Sequence, residues 1–131
     1  MRLIYIADDD TYIRDALKVF LENAEFQVEA FENGDLLLAA FAERPSDLVV
    51  LDVMMPGSNG FNVCRELRRV STVPIFMLSA RDTDLDHQTG LDLGADGFFK
   101  KPLSPMTFVM WVKALFRRID YERAYAQTET V

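Results

Sequence analysis

Five short apolar runs alternate along the chain with longer stretches of helical spacing, and no other feature constrains the fold as strongly. The runs cover residues 3–7, 28–31, 48–51, 73–78 and 97–100. Between the first two, Ile13, Leu17 and Leu21 recur at steps that place them on one face of a helix. Alternating strands and helices favour a parallel sheet, because each right-handed crossover brings the chain back in the same direction. The chain is therefore predicted to be an α/β protein with a doubly wound, five-stranded parallel sheet.

Turn and cap residues predict where the helices begin and end. Asn33 and Gly34 open the second helical stretch, and Gly60 opens the third. The fifth helix is predicted to begin around Ser104 and Pro105, because serine can cap a helix and proline fits its first turn. We expect this helix to run to about residue 118 or beyond.

Charge and composition exclude several classes of function. The 131 residues fit one domain, and a formal net charge of −7 argues against nucleic-acid binding by this segment, which would need a dense basic face. A single cysteine, Cys64, cannot form an internal disulfide and is predicted to be a buried apolar residue. The longest apolar run, residues 36–42, is too short to cross a membrane. We therefore expect a cytoplasmic protein with no membrane partner.

Polar residues follow four of the predicted strands at the point where each strand ends. They are Asp8, Asp9 and Asp10 after the first strand, Asp52 after the third, Ser79 after the fourth and Lys101 after the fifth. In an open parallel sheet, sites form outside the carboxyl ends of the strands, so these side chains are expected to share one rim. Asp10 or Thr11 is expected to cap the first helix.

Three carboxylates, those of Asp8, Asp9 and Asp52, are expected to converge in this crevice. Such carboxylates raise one another's pKa unless a cation is present, and all-oxygen ligands suit Mg²⁺ or Mn²⁺. Lys101 adds a positive charge and Ser79 adds a hydroxyl donor beside a nucleophilic carboxylate. The set predicts transfer of a phosphoryl group to Asp52.

Four blocks of sequence resemble the signature blocks of bacterial two-component response-regulator receiver domains. They are ADDDTYIR at residues 7–14, LDVMMPGSNG at 51–60, LSA at 78–80 and GADGFFKKP at 94–102. The blocks occur in the expected order at the strand ends, and the match spans about residues 2–118. The resemblance implies a flavodoxin-like fold with strand order 2-1-3-4-5.

The resemblance also implies a role for each residue of the crevice. Asp52 would accept a phosphoryl group from a sensor histidine kinase or a histidine phosphotransfer protein. Asp8, Asp9 and Asp52 would hold Mg²⁺ together with the backbone carbonyl of Met54, Asp9 being the more direct ligand of the acidic pair. Lys101 would bind the phosphoryl group, so the domain would catalyse its own phosphorylation and dephosphorylation without being a turnover enzyme.

Two further residues would carry the response. By the same resemblance, Ser79 is the switch hydroxyl and Phe98 the switch aromatic, and the Lys101-Pro102 peptide bond is cis. His87 lies in an acidic segment and is expected to be a surface residue rather than a catalytic base.

Within the family, the chain looks most like regulators that carry a C-terminal winged-helix DNA-binding domain. The segments that carry this likeness are KPLSP at residues 101–105 and KALFRR at 113–118. The receiver would then cover residues 1–119, and the polar residues 120–131 would be a helix extension, a linker or a truncated tail. Control of transcription would follow, with DNA contacted only through a C-terminal domain outside these residues. The polar tail fits an isolated receiver of a longer protein and a stand-alone receiver equally.

The chain departs from those regulators on the face formed by the fourth helix, fifth strand and fifth helix, where they usually dimerise through salt bridges. The corresponding positions hold uncharged residues, namely Thr89, Gly97, Thr107 and Trp111. Met106, Met110 and Trp111 are spaced to form an apolar patch at or near the surface, unless some of them pack inward. We therefore predict association through apolar contact, with a second copy or another partner, that depends weakly on salt.

Two other functions fit parts of this pattern. A Mg²⁺-dependent phosphohydrolase also uses an aspartate after a parallel strand, but the position of its usual general acid holds Met54 here. A pseudo-receiver is a protein-binding module that has lost phosphorylation, and it would not need the complete set of functional residues. That set is Asp9, Asp52, Ser79 and Lys101.

Overall fold

The computed structural model describes residues 1–80 and 83–129, in which strands and helices alternate. The order is β1 (Leu3–Ala7), α1 (Thr11–Asn23), β2 (Gln27–Phe31), α2 (Gly34–Glu43), β3 (Leu48–Asp52), α3 (Gly60–Arg68), β4 (Ile75–Ser79), α4 (Asp84–Asp92), β5 (Gly97–Lys100) and α5 (Pro105–Glu129). β4 begins at Ile75 rather than at the predicted residue 73, because Pro74 has no N–H to donate to a strand ladder. Residues 130–131 of the expected tail lie outside the described residues.

The strands of the described residues form one parallel sheet with the order β2-β1-β3-β4-β5. Neighbouring strands are in parallel register, with Ala7 of β1 opposite Leu51 of β3 and Asp52 of β3 opposite Leu78 of β4. The predicted fold class and strand order are confirmed. Since all strands point the same way, their carboxyl ends share one rim of the sheet.

Each face of the sheet carries its own apolar layer. Alternate residues of β3 point to opposite faces, so Val49 and Leu51 belong to one cluster while Leu48 and Val50 belong to the other. The first cluster is covered by residues of α2 and α3, including the buried Cys64. The second cluster is covered by residues of α1 and α5. β3 is buried along its whole length, which explains its unbroken apolar sequence.

Polar side chains at the helix starts fix the loops that border the rim. Asp10 accepts hydrogen bonds from the backbone of Tyr12 and Ile13, so the predicted cap of α1 is confirmed at Asp10. Asn59 caps α3, and Gly60 follows it. A Cβ atom on Gly60 would lie 2.4 Å from the carbonyl oxygen of Asp52, so glycine lets α3 start directly against the end of β3.

Helix α5 is longer than the sequence required, since it runs from Pro105 through Glu129. The expected extension after residue 118 is therefore helical as far as Glu129. Among the helices of residues 1–80 and 83–129, none is long and apolar enough to cross a membrane.

Candidate functional site

The carboxyl ends of β1 and β3 bring three carboxylates together, which we call the acidic rim. One oxygen from each of Asp8, Asp9 and Asp52 lies within 4.8 Å of the other two. Asp8 is fully buried and Asp52 is 4% exposed, whereas Asp9 is exposed. The sequence prediction that these three residues converge is consistent with this geometry, and Asp9 leaves the cluster open to solvent on one side.

Lys101 reaches the acidic rim from the far edge of the sheet, just after β5. Its Nζ lies 2.8 Å from Asp8 Oδ2 and 3.2 Å from Asp52 Oδ1, and its side chain is only 10% exposed. The backbone N–H of Lys101 donates to the carbonyl of Ser79, and the Lys101-Pro102 peptide bond is cis, as the family resemblance implied. One ammonium group thus contacts two buried carboxylates at once.

The charge balance of the rim shifts the pKa values of its members. Burial, followed by the charge of Asp8, raises the pKa of Asp52 to about 7, although Lys101 and a backbone hydrogen bond from Met54 act to lower it. Burial acts to lower the pKa of Lys101, but its contacts with Asp8 and Asp52 outweigh that effect and raise it. A single lysine therefore stabilises the ionised rim only in part.

A divalent cation fits the donors that the rim presents. The three clustered side chains offer only carboxylate oxygens, which suit Mg²⁺, and Mg²⁺ commonly binds through one or two protein carboxylates while it retains several waters. Burial and the charge of Asp8 raise the pKa of Asp52, and a cation bound beside it would favour its ionised form. The residues present are thus compatible with the Mg²⁺ or Mn²⁺ site that the sequence predicted.

Sequence reasoning missed a residue that holds the rim in shape. Arg14 donates from Nη1 to the carbonyl oxygen of Asp8 at 2.7 Å, while Asp8 Oδ1 accepts from the backbone N–H of Asp10 at 2.9 Å. Arg14 lies one helical turn after Asp10, which places its side chain over the loop that precedes α1. That spacing was the signal that could have identified it.

Ser79 ends β4 and is fully buried beside the strand that carries Asp52. Asp52 pairs in register with Leu78, so Ser79 stands one residue further along the neighbouring strand at the same rim. Met54 follows the rim on the loop after β3; its side chain is exposed, and its backbone N–H donates to the Asp52 carboxylate. The sequence had predicted a role for the carbonyl of Met54 and had not foreseen this donor.

Phe98 does not lie in the rim but packs against α4. Its ring lies 4.2 Å from the ring of His87, centroid to centroid, so His87 is a half-buried packing partner rather than the surface residue predicted. Gly90 of α4 provides the remaining room, because a Cβ atom there would lie 3.0 Å from the Phe98 ring. Phe98 thus occupies a slot on α4 outside the rim.

The predicted apolar patch is exposed along α5. Met106, Met110 and Trp111 are 67%, 65% and 55% exposed, so none of the three packs inward. The indole of Trp111 stands edge-on to Phe99 of β5 at a centroid distance of 5.8 Å. We call the surface formed by α4, β5 and α5 the α4–β5–α5 face.

Comparison with known proteins identifies the same family that the motifs resembled. The model of the response regulator receiver domain matches residues 4–113. The chain is 40% identical to the transcriptional regulatory protein ResD of Bacillus subtilis over 131 residues, covering 98% of this chain and 55% of that protein. It is 36% identical to the transcriptional regulatory protein BaeR of Escherichia coli O6:H1 over 126 residues, covering 96% of this chain and 52% of that protein. The chain spans about half the length of these curated relatives.

Solved structures agree with this assignment of the fold. A two-component response regulator from Clostridium difficile superposes with a TM-score of 0.88 at 27% identity, covering 91% of this chain and 98% of that one. The chemotaxis protein CheY4 of Vibrio cholerae superposes with a TM-score of 0.83 at 29% identity, covering 87% of this chain and 98% of that one.

Proposed function

The chain belongs to the response-regulator receiver family, and on that premise we propose that it is a phosphorylation-activated switch with Asp52 as its phosphoacceptor. The observation that carries the proposal is the position of the Asp52 carboxylate, which lies between the other carboxylates of the acidic rim and the ammonium of Lys101. The donor would be a phosphohistidine on a sensor histidine kinase or on a histidine phosphotransfer protein.

The proposed reaction is an in-line displacement at phosphorus. A carboxylate oxygen of Asp52 forms a bond to phosphorus as the bond from phosphorus to the donor imidazole nitrogen breaks, and that nitrogen keeps the electron pair. Lys101 lies 3.2 Å from Asp52, so its ammonium can stabilise the negative charge of the phosphoryl oxygens during transfer. Little covalent help is needed, because phosphoryl transfer is accelerated mainly by positioning and charge stabilisation.

A metal ion would be held by Asp8, Asp9, Asp52 and the Met54 backbone carbonyl. When bound, Mg²⁺ or Mn²⁺ would neutralise charge on the carboxylates and on the incoming phosphoryl oxygens. Asp9 is the most accessible of the three carboxylates, which favours it as a direct ligand. Arg14 keeps the loop of the acidic pair in place through its hydrogen bond to Asp8.

The domain would catalyse its own phosphorylation and its own dephosphorylation. Its chain supplies the nucleophile and the charge that stabilises transfer, whereas water later hydrolyses the acyl phosphate. Steady turnover of a phosphomonoester is not expected, because Met54 occupies the position where phosphohydrolases of this kind place a general acid.

The signal would travel through Ser79 and Phe98. A phosphoryl group on Asp52 would attract the Ser79 hydroxyl, which stands at the same rim. Movement of that hydroxyl would make room for Phe98 to leave its slot against His87 and Gly90 and turn inward. This would shift a pre-existing equilibrium of the α4–β5–α5 face.

The output that we propose is control of transcription by a longer protein. ResD and BaeR are transcriptional regulatory proteins, and residues 1–119 would be the receiver while residues 120–131 would lead toward an output domain that contacts DNA. Exchange with a sensor kinase would take place in the cytoplasm. The α4–β5–α5 face would associate through apolar contacts that include Met106, Met110 and Trp111.

Phosphorylation by acetyl phosphate tests the central proposal. With Mg²⁺ present, we expect acid-labile phosphate on Asp52, and we expect Asp52→Asn to abolish it because an amide is not a competent nucleophile. Asp10→Asn is the matched control, since Asp10 caps α1 and asparagine caps helices equally well. Phosphate incorporation that persists in Asp52→Asn, or in excess chelator, would contradict the proposal.

A further inference from the structure

The side chain of Arg14 reaches back from α1 to the loop that carries the acidic pair. Its Nη1 donates to the carbonyl oxygen of Asp8 at 2.7 Å, and its backbone N–H donates to the carbonyl oxygen of Asp10 at 3.0 Å. α1 is itself fixed on the sheet, because Leu17 and Leu21 of this helix are buried in the core. Arg14 therefore ties the loop between β1 and α1 to a helix that is anchored independently.

The carbonyl that Arg14 holds belongs to the peptide group between Asp8 and Asp9. A peptide group is planar, so fixing its oxygen fixes the plane from which Asp9 continues. The backbone N–H of Asp8 donates to the carbonyl oxygen of Phe31 in β2 at 3.2 Å, which holds the other side of the same residue. The backbone position of Asp9 is thus set by hydrogen bonds to the residue before it.

The two carboxylates of the acidic pair are held in different ways. The carboxylate of Asp8 accepts a hydrogen bond from the backbone N–H of Asp10 at 2.9 Å and lies 2.8 Å from Lys101 Nζ. The side chain of Asp9 is exposed, and within residues 1–80 and 83–129 its carboxylate makes no hydrogen bond or ion pair. The place of Asp9 in the acidic rim therefore depends on its backbone, which is the part that Arg14 holds.

A recess of about 430 Å³ opens beside Asp9, and Arg14 lines it as well. Glu32 and Asp35 line the same recess and add two exposed carboxylates. These carboxylates attract a cation that approaches Asp9 from this side, whereas the guanidinium of Arg14 repels it. The charge of Arg14 thus opposes cation binding, so any gain in affinity comes from the position that Arg14 gives to the acidic pair.

The groups proposed to transfer the phosphoryl group lie on other elements. Asp52 ends β3 and Lys101 follows β5, and these two residues contact each other directly at 3.2 Å. The side-chain hydrogen bonds of Arg14 are to Asp8 and, at 3.4 Å, to Thr11 Oγ1, both on the chain that connects β1 with α1. A change at Arg14 should therefore alter the acidic pair before it alters the contact between Asp52 and Lys101.

We propose that Arg14 is a positioning residue that sets the affinity of the acidic rim for Mg²⁺ by holding the peptide group between Asp8 and Asp9. It has little effect on the rate of phosphoryl transfer at saturating Mg²⁺. This rests on the proposed function, which assigns the acidic rim to a divalent cation. Groups that orient metal ligands without touching the metal commonly account for about 10–100-fold in affinity.

Titration of the unphosphorylated protein with magnesium chloride, followed by nuclear magnetic resonance, measures the affinity directly. Arg14→Met should raise the dissociation constant about tenfold, because the acidic pair loses its support. Arg14→Lys keeps the charge and a donor, and it should restore the constant to within about threefold of the unmodified chain. Lys18→Met is the matched control, since it removes the same charge from α1 one turn further from the rim. It should change the constant less than about twofold.

The direction of the change separates position from charge. If Arg14 acted through its charge alone, removing it would favour the cation and lower the dissociation constant. A lowered or unchanged constant in Arg14→Met would therefore overturn the proposal. The amide resonance of Asp10, whose N–H donates to Asp8 Oδ1, reports the loop in the metal-free protein. It should shift in Arg14→Met and stay in place in Lys18→Met. If circular dichroism shows that Arg14→Met does not fold, Arg14→Gln takes its place.

Phosphorylation by acetyl phosphate over a series of Mg²⁺ concentrations gives a second readout. In Arg14→Met the half-saturating Mg²⁺ concentration should rise about tenfold, and the maximal rate should stay within about twofold of that of the unmodified chain. A larger loss of rate that persists at saturating Mg²⁺ would overturn the proposal, because Arg14 would then act on the transfer itself. Failure of the unmodified chain to accept phosphate would contradict the proposed function instead, while the magnesium titration would still measure the effect of Arg14.

Discussion

The acidic rim and the α4–β5–α5 face lie in the same small domain but depend on different forces. In the rim, buried charges are held close together by one lysine, with Asp8 and Asp52 almost without solvent exposure. On the face, Met106, Met110 and Trp111 are exposed and uncharged. Changes in the rim should therefore act through charge and pH, whereas changes in the face should act through apolar contact and respond little to salt.

The largest expected effect is the pH dependence that Asp52 gives to the metal-free protein. Its pKa is raised from 3.8 to about 7 in the folded state, so the folded state binds this proton more tightly than the unfolded state does. The resulting contribution to stability is fully present below the unfolded pKa and is lost as pH rises through about 7. Between these limits, the unmodified protein should lose up to about 4 kcal/mol relative to Asp52→Asn.

Chemical denaturation of both proteins from pH 4.5 to pH 8, in the presence of a chelator, measures this difference. Saturating Mg²⁺ should remove most of it, because the cation favours the ionised carboxylate. If the free energies of unfolding of the two proteins change with pH in the same way without metal, Asp52 is ionised throughout this range. Lys101 would then be sufficient to stabilise its charge.

The next largest effect is expected from removal of the lysine. Lys101→Met should slow phosphorylation by acetyl phosphate about 100-fold, because the ammonium that stabilises the transferred group is lost. Lys100→Met, which changes the exposed neighbouring lysine, should change the rate less than about twofold. Radiolabel incorporation over time measures the phosphorylation rate of both variants. If both variants lose the same fraction of the rate, positive charge in general matters rather than the position of Lys101.

The proposed switch makes Ser79 the link between the two regions, so its removal is expected to have an intermediate effect. Ser79→Ala should still accept a phosphoryl group but should weaken the shift of the α4–β5–α5 face by about 1.5–3 kcal/mol, the contribution of one hydrogen bond to a charged group. Ser79→Thr keeps the hydroxyl and serves as the control. Nuclear magnetic resonance shifts of Phe98 and Trp111 on addition of beryllium fluoride report the coupling. Equal responses in all three proteins would exclude Ser79 from the switch.

The smallest expected effect is that of salt on association through the face. From low to high salt, the dissociation constant of the beryllium fluoride-activated protein should change less than about threefold, because apolar contact is screened little. Trp111→Arg should weaken association in both conditions, since it removes apolar area and adds charge. Analytical ultracentrifugation measures both quantities. Association that is lost at high salt would show that the face, like the rim, depends on charged groups.

The sequence predicted the site better than it predicted the face. Asp8, Asp9, Asp52 and Lys101 share one rim because each lies at or just after the end of a parallel strand, and the position of β1 beside β3 brings the three carboxylates together. Ser79 follows the same rule. The sequence offered no comparable way to predict the contact between His87 and Phe98. That contact depends on how α4 packs against β5 and on the space left by the missing side chain of Gly90.

What the sequence by itself determined was the order of elements and the group of residues at the rim, since periodicity and strand direction are properties of the chain. The strand order was implied only by the resemblance of the motifs to a known family. Only the tertiary structure decided how much charge the rim can hold. The raised pKa of Asp52 comes from burial and from the distance to Asp8 and Lys101, and neither quantity is written in a motif. The exposure of Met110 and Trp111 was likewise decided by which side of α5 turned toward the sheet, because several apolar residues competed for that side.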